Sequence, residues 1–141
     1  MDNYREEIIE HYKHPQNYGH LSHADATVHE RNSSCGDVID MEVAYEKGAA
    51  LSAEGASTST AAGAAKIQNV RFTSDGCSIS RASASMLTEE VKGMSRADIA
   101  KLGPQDIFDM LGVNIGTTRA KCALLPLDAM KKLIKLPAKH E

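Results

Sequence analysis

The chain reads as an α+β domain, and three observations carry that reading. A helical apolar pattern opens it. Three stretches with strand character follow within residues 28–73, and a series of helical stretches fills the remainder. Strands grouped together, rather than alternating with helices, separate this pattern from a doubly wound α/β sheet. At 141 residues the sequence fits one domain, residues 1–141, large enough to bury a core without needing a disulfide or a metal to fold.

Tyr4, Ile8, Ile9 and Tyr12 recur at helical spacing, so Asp2 to about Lys13 is expected to be an amphipathic helix with its stripe in the core or at a docking surface. His14-Pro15 ends it, because a residue before proline is pushed out of helical conformation. His11, His14, His20, His23 and His29 share no common face and are expected at the surface. Val28 to Arg31 is a short strand. In Val38 to Tyr45 the residues Ile39, Met41, Val43 and Tyr45 alternate with Asp40 and Glu42, which places the apolar set inward and the acids toward water. Residues 48–65 are almost entirely Ala, Ser, Gly and Thr. Such a composition buries too little to offset chain entropy and is read as a flexible loop.

Lys66 to Thr73 is the third strand, with Ile67, Val70 and Phe72 apolar, and Ser74-Asp75-Gly76 turns the chain. A helix then runs from Ser78 to about Lys92, and its small residues Ala82 to Ser85 allow close approach to neighbours. Ser95-Arg96-Ala97-Asp98 resembles a capping box for a short helix to Leu102. Pro104 suits the first turn of the next helix, through Met110. Gly112 and Gly116 flank a loop. Thr117 or Thr118 can cap a last helix containing Leu124, Leu127, Met130, Leu133 and Ile134, closed by Pro137. Pro126 leaves two alternatives: a helix that includes Cys122 and loses that residue's carbonyl bond, or a helix that begins near Pro126 with Cys122 on an irregular turn.

The chemistry concentrates on three cysteines, Cys35, Cys77 and Cys122, separated by 42 and 45 positions without any CxxC pair. Gly36-Asp37 follows Cys35. Cys77 stands after Gly76 at a strand-to-helix junction, where the helix dipole and free N–H groups favour a thiolate. Arg119 and Lys121 precede Cys122 and supply positive charge with the same effect. Two readings stand side by side: the thiols and Asp37 converge on one metal or sulfur-handling site, or the cysteines are unrelated small core residues. Net charge is −3, aromatics make up 4% and Trp is absent, which argues against a nucleic-acid surface built on a basic stripe and stacking platforms. No apolar run approaches the length of a membrane-spanning helix, and the first residues lack a signal-peptide core. The chain is therefore expected in the cytoplasm, where thiols stay reduced and an odd cysteine count favours metal or thiol chemistry.

The segments running from Tyr4 to Pro15, Ser34-Cys35-Gly36-Asp37, Gly76-Cys77-Ser78-Ile79-Ser80-Arg81 with the small residues after it, and Arg119-Ala120-Lys121-Cys122-Ala123 resemble the IscU/SufU/NifU N-terminal family of iron–sulfur cluster assembly proteins. They occur in the family's order and cover nearly all of the chain outside residues 48–65. The resemblance implies a three-stranded antiparallel sheet packed on helices. It implies that Cys35, Asp37, Cys77 and Cys122 line one exposed site that receives sulfur from a cysteine desulfurase and assembles a [2Fe-2S] cluster or holds iron or zinc. Downstream apo iron–sulfur proteins are the implied recipients, and homo-oligomerisation is left open. Lys121 stands where the IscU type has histidine, which is the pattern of the SufU branch and its zinc-dependent sulfurtransferases. The 44 residues between Cys77 and Cys122 are closer to the IscU length. The Leu-Pro-Pro-Val-Lys chaperone motif of the IscU type is absent, and Ser33-Ser34 replaces the usual Asn-Pro. Cys122 is the expected sulfur acceptor, Cys35 and Cys77 the metal-holding thiols, and Asp37 the exchangeable ligand.

Overall fold

The computed structural model describes residues 2–32, 36–46, 66–112 and 117–136; for residues 2–5 and 117–119 the description is of the backbone. Cys35, the segment 48–65, Gly116 and Pro137 lie outside the described residues, as do the side chains of Tyr4 and Arg119. The elements are α1 (Asp2–Lys13), β1 (Ala26–Arg31), β2 (Val38–Tyr45), β3 (Ile67–Asp75), α2 (Ser78–Val91), α3 (Arg96–Ala100), α4 (Pro104–Leu111) and α5 (Thr117–Leu133).

The three strands form an antiparallel sheet with β2 in the middle. Alternation along β2 is as its sequence dictates: Ile39, Met41, Val43 and Tyr45 are buried. On β3 the buried residues are Ile67, Val70 and Phe72, a spacing that strict alternation does not allow. The pairing resolves it. Register shifts between Ala44 and Tyr45, so that Ile67 faces Tyr45 while Asn69 faces Ala44. This bulge returns Ile67 and Val70 to the same face.

Helix α5 packs on β1 and β2, α2 packs on β3 and α5, and α1 packs on α2. The small residues Ala82, Ser83, Ala84 and Ser85 are all buried, as close packing between α1, α2 and α5 requires. Residues 17–19 run along the outer edge of β3, where Gly19 N–H donates to the Phe72 carbonyl at 2.8 Å and Phe72 N–H donates to the Asn17 carbonyl at 3.0 Å. The contact covers a strand edge that would otherwise be open to another chain. Helix ends follow the expected chemistry. The Ser95 hydroxyl accepts from Asp98 N–H at 3.1 Å, Pro104 opens α4, and Gly93 and Gly112 take positive φ values of 85° and 69° after α2 and α4.

Of the α1 stripe, expected in the core or at a docking surface, Ile8 is buried where α1 packs on α2, and Ile9 and Tyr12 are 46% and 40% exposed. Three expectations need correction. His11 is not a surface histidine. Its Nδ1 lies 2.6 Å from the Ser85 hydroxyl, which also accepts Gln16 N–H at 2.7 Å, fastening α1 to α2. Strand β3 continues through Ser74 and Asp75, which pair with Ile39 and Val38, so the turn is confined to Gly76. The regular part of α3 ends at Ala100 rather than Leu102.

Arg96 is wholly buried at the far end of the core. Its guanidinium donates to the carbonyls of Ile134 and Leu136, closing the C-terminal end of α5, and stacks on the Tyr45 ring with its carbon 4.7 Å from the centroid. Burial pushes the Tyr45 hydroxyl from the usual 10.0 up to about 12, with the Arg96 charge opposing and the Asp25 charge adding. A group raised in the folded state stabilises fully below its unfolded value, and the contribution is lost as pH rises through the folded value. Stability should therefore fall between about pH 10 and pH 12. Tyr45→Phe is expected to reduce that alkaline loss, read as denaturant midpoints across the range. An unchanged alkaline profile in the variant would contradict the assignment.

Candidate metal and sulfur site

Three sequence-distant residues meet where the ends of β2 and β3 approach the first turns of α2 and α5. One ligand atom each from Asp37, Cys77 and Cys122 lies within 4.8 Å of the other two. Cys77 is the N-cap of α2, in extended conformation, and no side chain caps that end of the helix. Cys122 lies in the second turn of α5, which runs unbroken through Pro126. The helical alternative for Cys122 is therefore the observed one. The Ser83 hydroxyl of α2 donates to the Ala123 carbonyl at 2.7 Å, one residue from the carbonyl that Pro126 leaves without its helical donor. The bond joins the two cysteine-bearing helices beside the site.

Asp37 stands at the mouth of β2 after Gly36, whose φ of 76° favours glycine. Gly36 N–H donates to the Asn32 carbonyl and Asn32 N–H to the Asp37 carbonyl, both at 2.8 Å, which closes the segment containing Cys35. The Asp37 carboxylate is 3% exposed and turned onto Cys77. Its Oδ1 accepts Cys77 N–H at 3.0 Å, and its Oδ2 accepts the Cys77 thiol at 3.2 Å. Glycine at position 76 makes this possible: a Cβ there would stand 2.3 Å from Asp37 Oδ1 and 2.5 Å from its Cγ. Cys77 is half-buried and Cys122 is 4% exposed. Neither is in a disulfide.

Two soft thiol donors and one hard carboxylate suit zinc or iron. Cys35 lies outside the described residues. Lys121, which precedes Cys122, is exposed and lines a groove between β1 and α5. The backbone of Arg119 is in the first turn of α5. Sequence reasoning missed Gly76 as the space for Asp37. The signal was present in the order Gly-Cys at a strand-to-helix junction, but the residue that fills the space is 39 positions earlier.

A carboxylate and two thiols brought this close form a donor set of the kind that holds a metal ion. Comparison with known proteins shows the family. A family profile described as NifU-like N terminal domain matches residues 3–65 and 57–140. The iron–sulfur cluster assembly scaffold protein IscU of Streptococcus pyogenes serotype M1 is 29% identical, over 93% of this chain and 82% of that protein. The zinc-dependent sulfurtransferase SufU of Bacillus subtilis strain 168 is 31% identical, over 92% of this chain and 87% of that protein. A crystal structure of a putative iron–sulfur cluster assembly scaffold for the SUF system from Fervidobacterium islandicum AW-1 superposes with a TM-score of 0.67 at 23% identity, covering 92% and 94% of the two chains. That last likeness concerns the fold. The chain belongs to the NifU-like N-terminal domain family, the family of IscU and SufU iron–sulfur cluster assembly proteins.

Gly76→Ala is expected to force Asp37 off Cys77. The variant should fold with a loss of about 1–3 kcal/mol, the range for overpacking, and bind zinc at least about tenfold more weakly, equivalent to about 1.4 kcal/mol. Competition titration against a chromophoric chelator reads the change. Unaltered zinc affinity in a folded Gly76→Ala protein would remove Asp37 from the ligand set.

Proposed function

We propose that this chain is a scaffold that accepts sulfur from a cysteine desulfurase and assembles or carries a [2Fe-2S] cluster on Cys35, Asp37, Cys77 and Cys122. The observation that supports this most directly is the convergence of Asp37, Cys77 and Cys122 within 4.8 Å. Cys35, two positions before Asp37 in the sequence, completes a set of three thiols and one carboxylate. Thiolates are the ligands that iron–sulfur clusters prefer. A carboxylate in the fourth place gives one weaker bond, which suits cargo that has to be handed on to apo iron–sulfur proteins.

The chain's own residues have definite work in this scheme. In the hydrogen-bonded state the Cys77 thiol proton points at Asp37 Oδ2. Loss of that proton turns the pair into two anionic donors, while Oδ1 stays fixed by the Cys77 N–H. Sulfur arrives as a persulfide on the desulfurase. The Cys122 thiolate attacks the outer sulfur, the S–S bond breaks, the desulfurase cysteine leaves as a thiolate that takes up a proton, and the outer sulfur remains on Cys122. Arg119 and Lys121, in the same turns of α5, favour the attacking thiolate. Because Cys122 is 4% exposed, a neighbouring segment has to move aside for this attack. The reaction is placed in the cytoplasm, where thiols are kept reduced.

A second reading, a zinc-dependent sulfurtransferase acting with the desulfurase, is favoured by Lys121 in place of histidine and by the 31% identity to a protein of that description. Both readings use Cys122 as the acceptor. Cys122→Ser is expected to abolish sulfur uptake from a persulfide-loaded desulfurase, with Cys77→Ser retaining part of it, read as the mass of one added sulfur on the protein under anaerobic conditions. Uptake by Cys122→Ser equal to that of the parent would reject the assignment.

A further inference from the structure

A groove of ≈ 640 Å³ lies between β1 and α5, beside the site but outside it. Its charged residues are unevenly matched. Lys132 Nζ pairs with Glu30 at 2.5 Å, an interaction that holds the Glu30 carboxyl below its usual range. Among the described lining residues, Arg31, Lys131 and Lys135 then stand beside one further acid, Asp128. Burial, reinforced by the nearby Glu30 charge and opposed by Lys132 and Lys131, raises the pKa of Asp128. This surplus of positive charge sits on a chain whose net charge is −3. Complementing the C-terminal dipole of α5 accounts for Lys131 and Lys132, which are in its last turn. It does not account for Arg31, on β1.

From this groove we infer a docking surface for an acidic, partly apolar segment of a partner protein. Charge complementarity supplies the acidic requirement. The apolar requirement comes from half-buried Leu124, which contributes to the lining between the cations. Size excludes a single small anion as a full occupant. From Lys121 to Lys132 the helix advances about 16 Å, the reach of about five extended residues. Nucleic acid fits less well, because the lining has no aromatic side chain on which a base could stack and includes two carboxylates. The groove also adjoins the chemistry. Lys121 immediately precedes Cys122, and Asn32, another lining residue, donates its N–H to the Asp37 carbonyl. A partner held here lies alongside the proposed sulfur and metal site, whether or not that site holds a cluster.

The test uses the full chain and a fluorescein-labelled peptide of about five residues, the length of the groove, alternating Glu with Leu. Fluorescence anisotropy is measured at about 0.02 M and about 0.2 M salt. The peptide should bind at low salt and weaken at least about tenfold at the higher salt, as exposed charge pairs do. Lys131→Glu combined with Lys135→Glu should weaken binding by a similar factor. The charge-matched pair Lys92→Glu and Lys101→Glu, on exposed residues that follow α2 and α3, should leave it within about twofold. Zinc titration of the Lys131/Lys135 variant should match the parent, so that a loss of peptide binding is separated from damage to the metal site. The proposal is overturned by absence of binding, by equal binding of a peptide with Gln in place of Glu, or by equal weakening in the control pair. It is also overturned if citrate or a single-stranded oligonucleotide binds more tightly than the peptide and loses that binding in the Lys131/Lys135 variant.

Discussion

The Asp37 carboxylate meeting Cys77 is the contact on which the site depends. One oxygen accepts the Cys77 backbone N–H and the other accepts its thiol, so a single side chain fixes both the start of α2 and the sulfur it presents. The contact is partly buried, which raises the cost of leaving its groups unpaired. It exists because position 76 has no side chain. Two strands and a helix start are thus held in register by a carboxylate entering the space that a Cβ would occupy.

The rest of the molecule keeps the second thiol in place. Cys122 rides on α5, and α5 is tied at both ends of its packed length. Near the site, Ser83 binds the Ala123 carbonyl beside the helical bond that Pro126 removes. At the far end, buried Arg96 closes the carbonyls of Ile134 and Leu136. Between them, the helix lies on β1 and β2 with Leu125, Ala129 and Met130 in the core. The Cys122 thiol is thereby held at the edge of the core, 4% exposed.

Much of this was legible in the residues, for identifiable reasons. The alternation from Val38 to Tyr45 places one face inward by steric necessity, and the observed burial follows it. The Ser95 cap, Pro104 and the glycines after α2 and α4 act locally, so their signals survive without tertiary knowledge. What escaped was set by partners distant in sequence. Ile9 and Tyr12 have helical spacing, but only packing decides which apolar line a helix buries. His11 resembles any other histidine until Ser85 approaches it from 74 positions away. The spacing of the cysteines alone left open whether they converge. The motifs around them suggested convergence, and the fold brings two of the three together with Asp37. The cationic groove escaped a reading based on net charge, because an acidic total conceals a local excess formed by β1 and α5 together.

The central claim is that three thiols and Asp37 hold a [2Fe-2S] cluster, and it is tested most directly on protein purified anaerobically without chelator. Iron, zinc and acid-labile sulfide per chain are measured together with the visible absorption spectrum, for the parent and for Cys35→Ala. The account predicts iron and sulfide in equal amounts, with charge-transfer bands that are lost in the variant. Near-stoichiometric zinc without sulfide, persisting when iron and a sulfur source are supplied, would contradict the scaffold and leave the sulfurtransferase reading in its place.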